Sequence, residues 1–202
     1  MKTIKFLFRY TLPLFFLLAV TNIQAQDKKE ETLTPEELEE YQLRVKQLVS
    51  FLEFSLNTLG DPSTLRNEKD VIINESFLKA FRDGKVQIED DLVAFRETPT
   101  NKDVQAYFKD VDFFFKGVKF TFDVQAIDSY LNEEGKTYFR VTMNRHLAGL
   151  NYTGDSLNTD ITRYMEVNLD LAQKDLKIVS LYTTRLSQRE DLTNWWNGLD
   201  DK

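Results

Sequence analysis

Cysteine is absent from the 202-residue chain, and histidine occurs once, at position 146. The first absence excludes disulfide staples, thiolate metal sites, CxxC redox chemistry and a cysteine nucleophile. With a single histidine, the usual zinc ligand sets are excluded too. Glycine (7) and proline (4) are sparse while aromatic residues make up 13% of the chain. That balance excludes a collagen-like or low-complexity disordered chain. The glycines are isolated, so no phosphate-cradling loop is present, and no cofactor is expected. Basic charge is also short: 26 Lys and Arg stand against 33 Asp and Glu, a net charge of −7. A nucleic-acid binder needs a basic face, and none is expected here. A location and a fold type are legible from what remains; a specific activity is not.

Lys2, Lys5 and Arg9 precede an apolar run from Leu12 to Val20, broken only by Pro13, and Thr21 to Ala25 ends in a small residue. This is the layout of a secretory signal peptide over residues 1–25, cut after Ala25. The run is shorter than the ~20 residues that span a bilayer, so no membrane span is expected after cleavage. A lipoprotein would need a cysteine at the cut. Cleavage leaves 177 residues with 23 basic against 33 acidic side chains, a net charge of −10. The expected product is an acidic protein exported to the periplasm or the extracellular space. A domain of that size buries about 70% of its unfolded surface, enough for one core without disulfides.

Residues 26–33 read as a flexible leader, and residues 34–199 as a single domain. Thr34-Pro35-Glu36-Glu37 combines a capping hydroxyl, a proline at the first helical position and a glutamate three residues after the cap. That capping box opens a helix whose apolar spacing runs to Gly60. The spacing predicts a second helix from Ser63 or Thr64 to Phe81, with Val71, Ile72, Phe77, Leu78 and Phe81 as its buried stripe. A short strand follows over 85–92, and a third helix, capped by Thr100 or Asn101, carries Val104, Tyr107, Phe108 and Val111. The period then changes to two. Strands are predicted over 118–130, 137–147, 161–169 and 176–182, with breaks at 132–135, 149–159 and 170–175. A second capping box, Ser187 to Glu190, opens a short C-terminal helix holding Leu192, Trp195 and Trp196.

The expected class is α+β: N-terminal helices packed on a curved antiparallel β-meander, closed by a short C-terminal helix. This order resembles the NTF2-like fold, cystatin-like in the broader grouping, in which a bent sheet wraps helices into a cone. The wording of residues 34–199 is also similar to the N-terminal domain of exported multidomain proteins from Bacteroidetes-type bacteria. The stretches that carry this likeness are 49–54 (VSFLEF), 69–76 (KDVIINES), 101–107 (NKDVQAY), 109–115 (KDVDFFF) and 175–180 (DLKIVS). That resemblance implies fold and location, with no catalytic residues to transfer. In such proteins the domain is typically followed by other modules, so the resemblance implies either a protein partner or downstream domain, or a stand-alone version of the module.

Several residues invite a chemical reading. Some relatives of the cone fold are isomerases, dehydratases or cyclases that use an Asp or His with a Tyr, which makes Tyr107, Asp112, Tyr138, His146 and Tyr164 the ligand-pocket candidates. On its strand His146 falls in register with Tyr138, Arg140, Thr142 and Asn144, the more polar face, and no nucleophile motif surrounds it. Phe108, Phe113 to Phe115, Phe120 and Phe122 are expected to fill the cone. Glu89-Asp90-Asp91 reads as solvated charge without calcium-loop spacing, and no metal site is expected. Arg140, Arg145, Arg163 and Arg185 read as a set of solvated cross-strand pairs. Asp155-Ser156-Leu157 resembles an O-glycosylation signal of exported Bacteroidetes-type proteins, with Ser156 as acceptor. Asn74-Glu75-Ser76 and Asn151-Tyr152-Thr153 match the shorter N-glycosylation pattern. Trp195 and Trp196 are the interaction candidates, because adjacent helical residues diverge by about 100° and one indole can stay partly exposed while the other packs; the alternative is that both lid the open sheet. The function expected is a non-enzymatic exported module for protein interaction or envelope architecture. The alternative is a small-ligand binder or cone-pocket enzyme, and a hollow rather than packed cone divides the two.

Overall fold

A computed structural model describes residues 33–92 and 100–183. The predicted signal peptide, all but the last residue of the predicted leader, and the predicted C-terminal helix with Trp195 and Trp196 lie outside the described residues. The elements run α1 (Pro35–Gly60), α2 (Arg66–Asn74), a 3₁₀ turn (Ser76–Lys79), β1 (Gln87–Glu89), β2 (Asn101–Asp103) and α3 (Val104–Phe114). Four long strands complete the order: β3 (Phe115–Leu131), β4 (Thr137–Asn151), β5 (Ser156–Asp170) and β6 (Asp175–Tyr182). The sheet order is β2-β1-β6-β5-β4-β3. β3 to β6 form the expected antiparallel meander, and β1 joins β6 in parallel, so the whole sheet is mixed. Three helices pack on one curved, unclosed sheet, which is the expected α+β class and fits the cone that the NTF2-like resemblance implies.

α1 begins where the capping box places it: the Glu37 amide donates to Thr34 Oγ1 at 3.2 Å and the Thr34 amide to Glu37 Oε2 at 2.9 Å. Tyr41, Val45, Val49, Leu52, Leu56 and Leu59 then recur every three or four residues and are buried against the sheet. Other side chains of α1 cover the free edge of β3. Asn57 donates to the Phe120 carbonyl at 2.9 Å and accepts from its amide at 2.7 Å, so one carboxamide stands in for a neighbouring strand. Glu53 takes the Phe122 amide at 2.7 Å and Gln42 donates to the Ile127 carbonyl at 3.1 Å. An edge satisfied in this way offers no template for another strand at those positions. Asn57→Ala strips both backbone groups of Phe120 of their partner and is expected to cost about 1–3 kcal/mol. Urea denaturation measures that loss, and faster exchange of the Phe120 amide identifies its origin.

The predicted second helix is broken. It starts at Arg66, ends at Asn74, and passes through Glu75 (φ −132°, ψ −56°) into the 3₁₀ turn. The break re-phases the buried stripe to Ile72, Ile73, Phe77 and Phe81, leaving Val71 and Leu78 exposed. The third helix starts at Val104 rather than at a Thr100 or Asn101 cap, because 101–103 pairs with 87–89 as β2. Backbone pairing outcompetes a local cap there. The predicted break at 149–159 shrinks to the turn 152–155, with β4 and β5 paired from Leu150↔Ser156 onward. Gly149 is a bend inside the ladder: a Cβ there would lie 2.1 Å from the Gly117 carbonyl oxygen, and its φ is +146°. Only glycine tolerates that approach.

Curvature comes from extra residues in the ladder. Register slips between Phe115/Gly117 and Val124/Ala126 of β3, and again between β5 and β6 at Glu166/Val167. The last slip inserts Val179 and moves the inward parity of β6 from Leu176 and Ile178 to Leu181. Such bulges bend and twist a sheet. Its concave side holds Phe120, Phe122, Phe139, Val141, Met143, Met165 and Val167 against α1 and α3, with Phe81 and Phe108 in edge-to-face contact at 5.9 Å. The expected aromatic filling is observed except at Phe113, which is 73% exposed; Phe114 and Phe115 are partly buried.

Candidate functional site

The concentration of buried polar chemistry lies where 89–91 crosses the concave face. These three consecutive acids were expected in solvent and are buried instead, 8%, 5% and 7% exposed. Each ties a different part of the fold. Glu89 accepts the Thr183 amide at 2.7 Å, just beyond β6, and also bonds the Thr183 hydroxyl. Asp90 pairs with Lys102 of β2 at 2.7 Å, and the same ammonium reaches Asp110 of α3. Desolvation opposes the charge on Lys102, but the bonds to those two carboxylates outweigh it and raise its pKa.

Asp91 sits at the centre. Arg145 of β4 approaches Asp91 Oδ2 with Nε at 3.1 Å and Nη2 at 3.0 Å, and Arg163 of β5 reaches the same oxygen at 3.2 Å. Tyr107 of α3 donates its hydroxyl to Asp91 Oδ1 at 2.7 Å and accepts from Arg163 Nη1 at 3.1 Å. Arg145 also bonds Thr159 Oγ1 at 2.7 Å and the Asp91 carbonyl at 3.2 Å, and Arg163 the Glu89 carbonyl at 3.2 Å. Both guanidinium groups are fully buried, so Arg145 and Arg163 are not the solvated surface pairs expected. The reason is parity: Arg145 shares the inward register of Phe139, Val141 and Met143, and Arg163 that of Met165 and Val167.

Burial alone would raise the pKa of Asp91, but the guanidinium groups of Arg163 and Arg145, then the Tyr107 hydroxyl, outweigh it and hold the carboxyl below its ordinary range. Burial and the adjacent Asp91 charge push the Tyr107 hydroxyl up, keeping it a protonated donor. Arg163 remains charged although desolvation opposes it, because Asp91 and Tyr107 compensate. An ionised carboxylate that already accepts hydrogen bonds from Tyr107 and Arg145 and is ion-paired with both guanidinium groups is a poor general base, since proton abstraction wants a raised pKa and a free lone pair. The cluster is chemically a crosslink between α3, β4, β5 and the 87–92 segment.

Of the five ligand-pocket candidates, Tyr107 alone joins this cluster. Asp112 lies on α3 outside the cone, paired with Arg66 at 2.6 Å and Lys69 at 2.9 Å. Tyr138, His146 and Tyr164 sit on the opposite, outer face of the sheet. Tyr138 stacks on Tyr130 at 5.5 Å and Tyr164 on Tyr182 at 5.6 Å. Between these pairs Arg140 meets Glu166 at 3.0 Å, and Glu166 accepts the Tyr182 hydroxyl at 3.2 Å. His146 Nδ1 is 2.8 Å from Asp160, on an exposed part of that face. An exposed pair of this kind contributes little, so His146→Ala is expected to shift the unfolding free energy by less than about 0.5 kcal/mol. A loss of several times that in urea denaturation would show the ring to be structural. Ser156 opens β5 and is exposed. Arg185, like Trp195 and Trp196, lies outside the described residues.

Two surface features were not anticipated. Phe113, Phe114 and Tyr152 make an aromatic tip at one end of the sheet, with ring centres 5.1 and 6.0 Å apart and Tyr152 55% exposed. An open groove of about 240 Å³ runs between α1 and β6, past Arg44, Leu48, Phe51 and Leu176. Among the described residues no group of three or more acidic or histidine side chains could hold a metal ion, and no helix is long and apolar enough to cross a membrane.

No protein-family model and no curated protein matches the chain in sequence. Solved structures are similar in shape. One is a Caulobacter vibrioides protein described as uncharacterized with a cystatin-like fold: 12% identical, TM-score 0.45, covering 77% of this chain and 95% of its own. Another is an NTF-2 like protein of unknown function from Shewanella oneidensis: 12% identical, TM-score 0.43, covering 70% and 97%. A third, from Novosphingobium aromaticivorans, is named as a proposed aromatic ring hydroxylase: 13% identical, TM-score 0.47, covering 74% and 91%. At such low identity nothing about activity transfers from them to this chain.

Proposed function

We propose that this NTF2-like chain is an exported, non-enzymatic module that works through protein contact at the cell envelope. The observation that carries the reading is the state of the interior. The concave face is packed with Phe81, Phe108, Phe120, Phe139 and aliphatic side chains, and its central carboxylate is ionised and tied by Arg145, Arg163 and Tyr107. Cone enzymes want the reverse, a carboxylate raised by desolvation beside room for substrate. The exposed aromatic tip of Phe113, Phe114 and Tyr152 supports a contact role, since aromatic residues are enriched at interfaces.

The alternative, a small-ligand binder, is favoured by one observation: Arg163 Nε is buried with no hydrogen-bond partner among the described residues. A ligand carboxylate or phosphate would satisfy it. Two measurements decide. Fractionation and N-terminal sequencing of the protein made with residues 1–25 in place are expected to give an exported chain starting at Gln26; cytosolic protein starting at Met1 would remove the export part. A thermal-shift screen of the mature protein against organic acids and phosphates is expected to find no stabiliser. Saturation at a hundred times Kd adds about 2.7 kcal/mol, so a genuine ligand would be visible. A stabiliser whose effect disappears in Arg163→Lys would hand the function to the ligand-binding reading.

A further inference from the structure

We draw no further inference here: the strongest candidate, the outer face of β3 to β6 where two stacked tyrosine pairs flank the Arg140–Glu166 ion pair, is an unpartnered face whose rings are turned on one another, and nothing in the structure shows what covers it.

Discussion

Asp91→Ala is expected to lower the unfolding free energy by about 3–5 kcal/mol at neutral pH, because it leaves the Arg145 and Arg163 guanidinium groups buried without their counter-charge. Tyr107 would lose its acceptor in the same step. In a domain of this size each kcal/mol is worth roughly 2–4 °C, so the melting temperature should fall by about 10 °C. The effect has a pH signature. The folded state holds Asp91 below its ordinary pKa, so the carboxylate contributes fully above the unfolded value of about 3.9 and loses that contribution as pH falls through the folded value. The gap between wild type and Asp91→Asn should therefore be widest near neutrality and narrow on acidification below about pH 4. Urea denaturation of both proteins across that range is the measurement. A gap that stays constant with pH would mean that Asp91 acts by shape and not by charge.

Phe122→Ala is the second large expectation, about 3–5 kcal/mol for truncating a buried aromatic side chain. Phe122 faces the concave side from β3, 9% exposed, while its amide is held by Glu53 of α1. Phe113→Ala is the control. It removes the same atoms from a side chain 73% exposed, and should stay within about 0.5 kcal/mol. Comparing the two denaturation midpoints tests the strand register directly, because a slip of one residue in β3 would turn Phe122 to the outer face. Equal midpoints would overturn the register.

Much of this architecture is legible in local patterns. The Thr34 to Glu37 capping box and the apolar spacing behind it place α1 to within a residue, because capping and amphipathic period are properties of a few neighbouring side chains. Alternation in 118–124, 139–143 and 161–169 identifies β3, β4 and β5 for the same reason. The misplacements have long-range causes. Residues 101–103 become a strand only because 87–89 lies beside them. Glycine at 149 reads as a break until the Gly117 carbonyl is seen to need the space. Phe113 has the composition of a core residue, but its position on α3 turns it away from the sheet.

The candidate site is partly legible in the sequence. Arg145 and Arg163 carry the inward parity of their strands, so the alternation that assigns Phe139 and Met165 to the core assigns the two arginines to it as well. The acids that receive them lie in the predicted 85–92 strand, but only Val86 and Ile88 mark a face there, and three consecutive acids do not show which of them turn inward.

The sequence by itself determined the α+β class, the order of the three helices and the four long strands, and the absence of thiol chemistry. These follow from residue inventory and from periods of 3.6 and 2, which neighbours along the chain are sufficient to express. Only the tertiary structure decided which charges are buried. A run such as Glu89-Asp90-Asp91 has the same local pattern in solvent as in a core. Its burial depends on Thr183, Lys102, Arg145, Arg163 and Tyr107 arriving from distant parts of the chain. A buried charge is stable only with its partners in place, and here those partners are brought together by the fold.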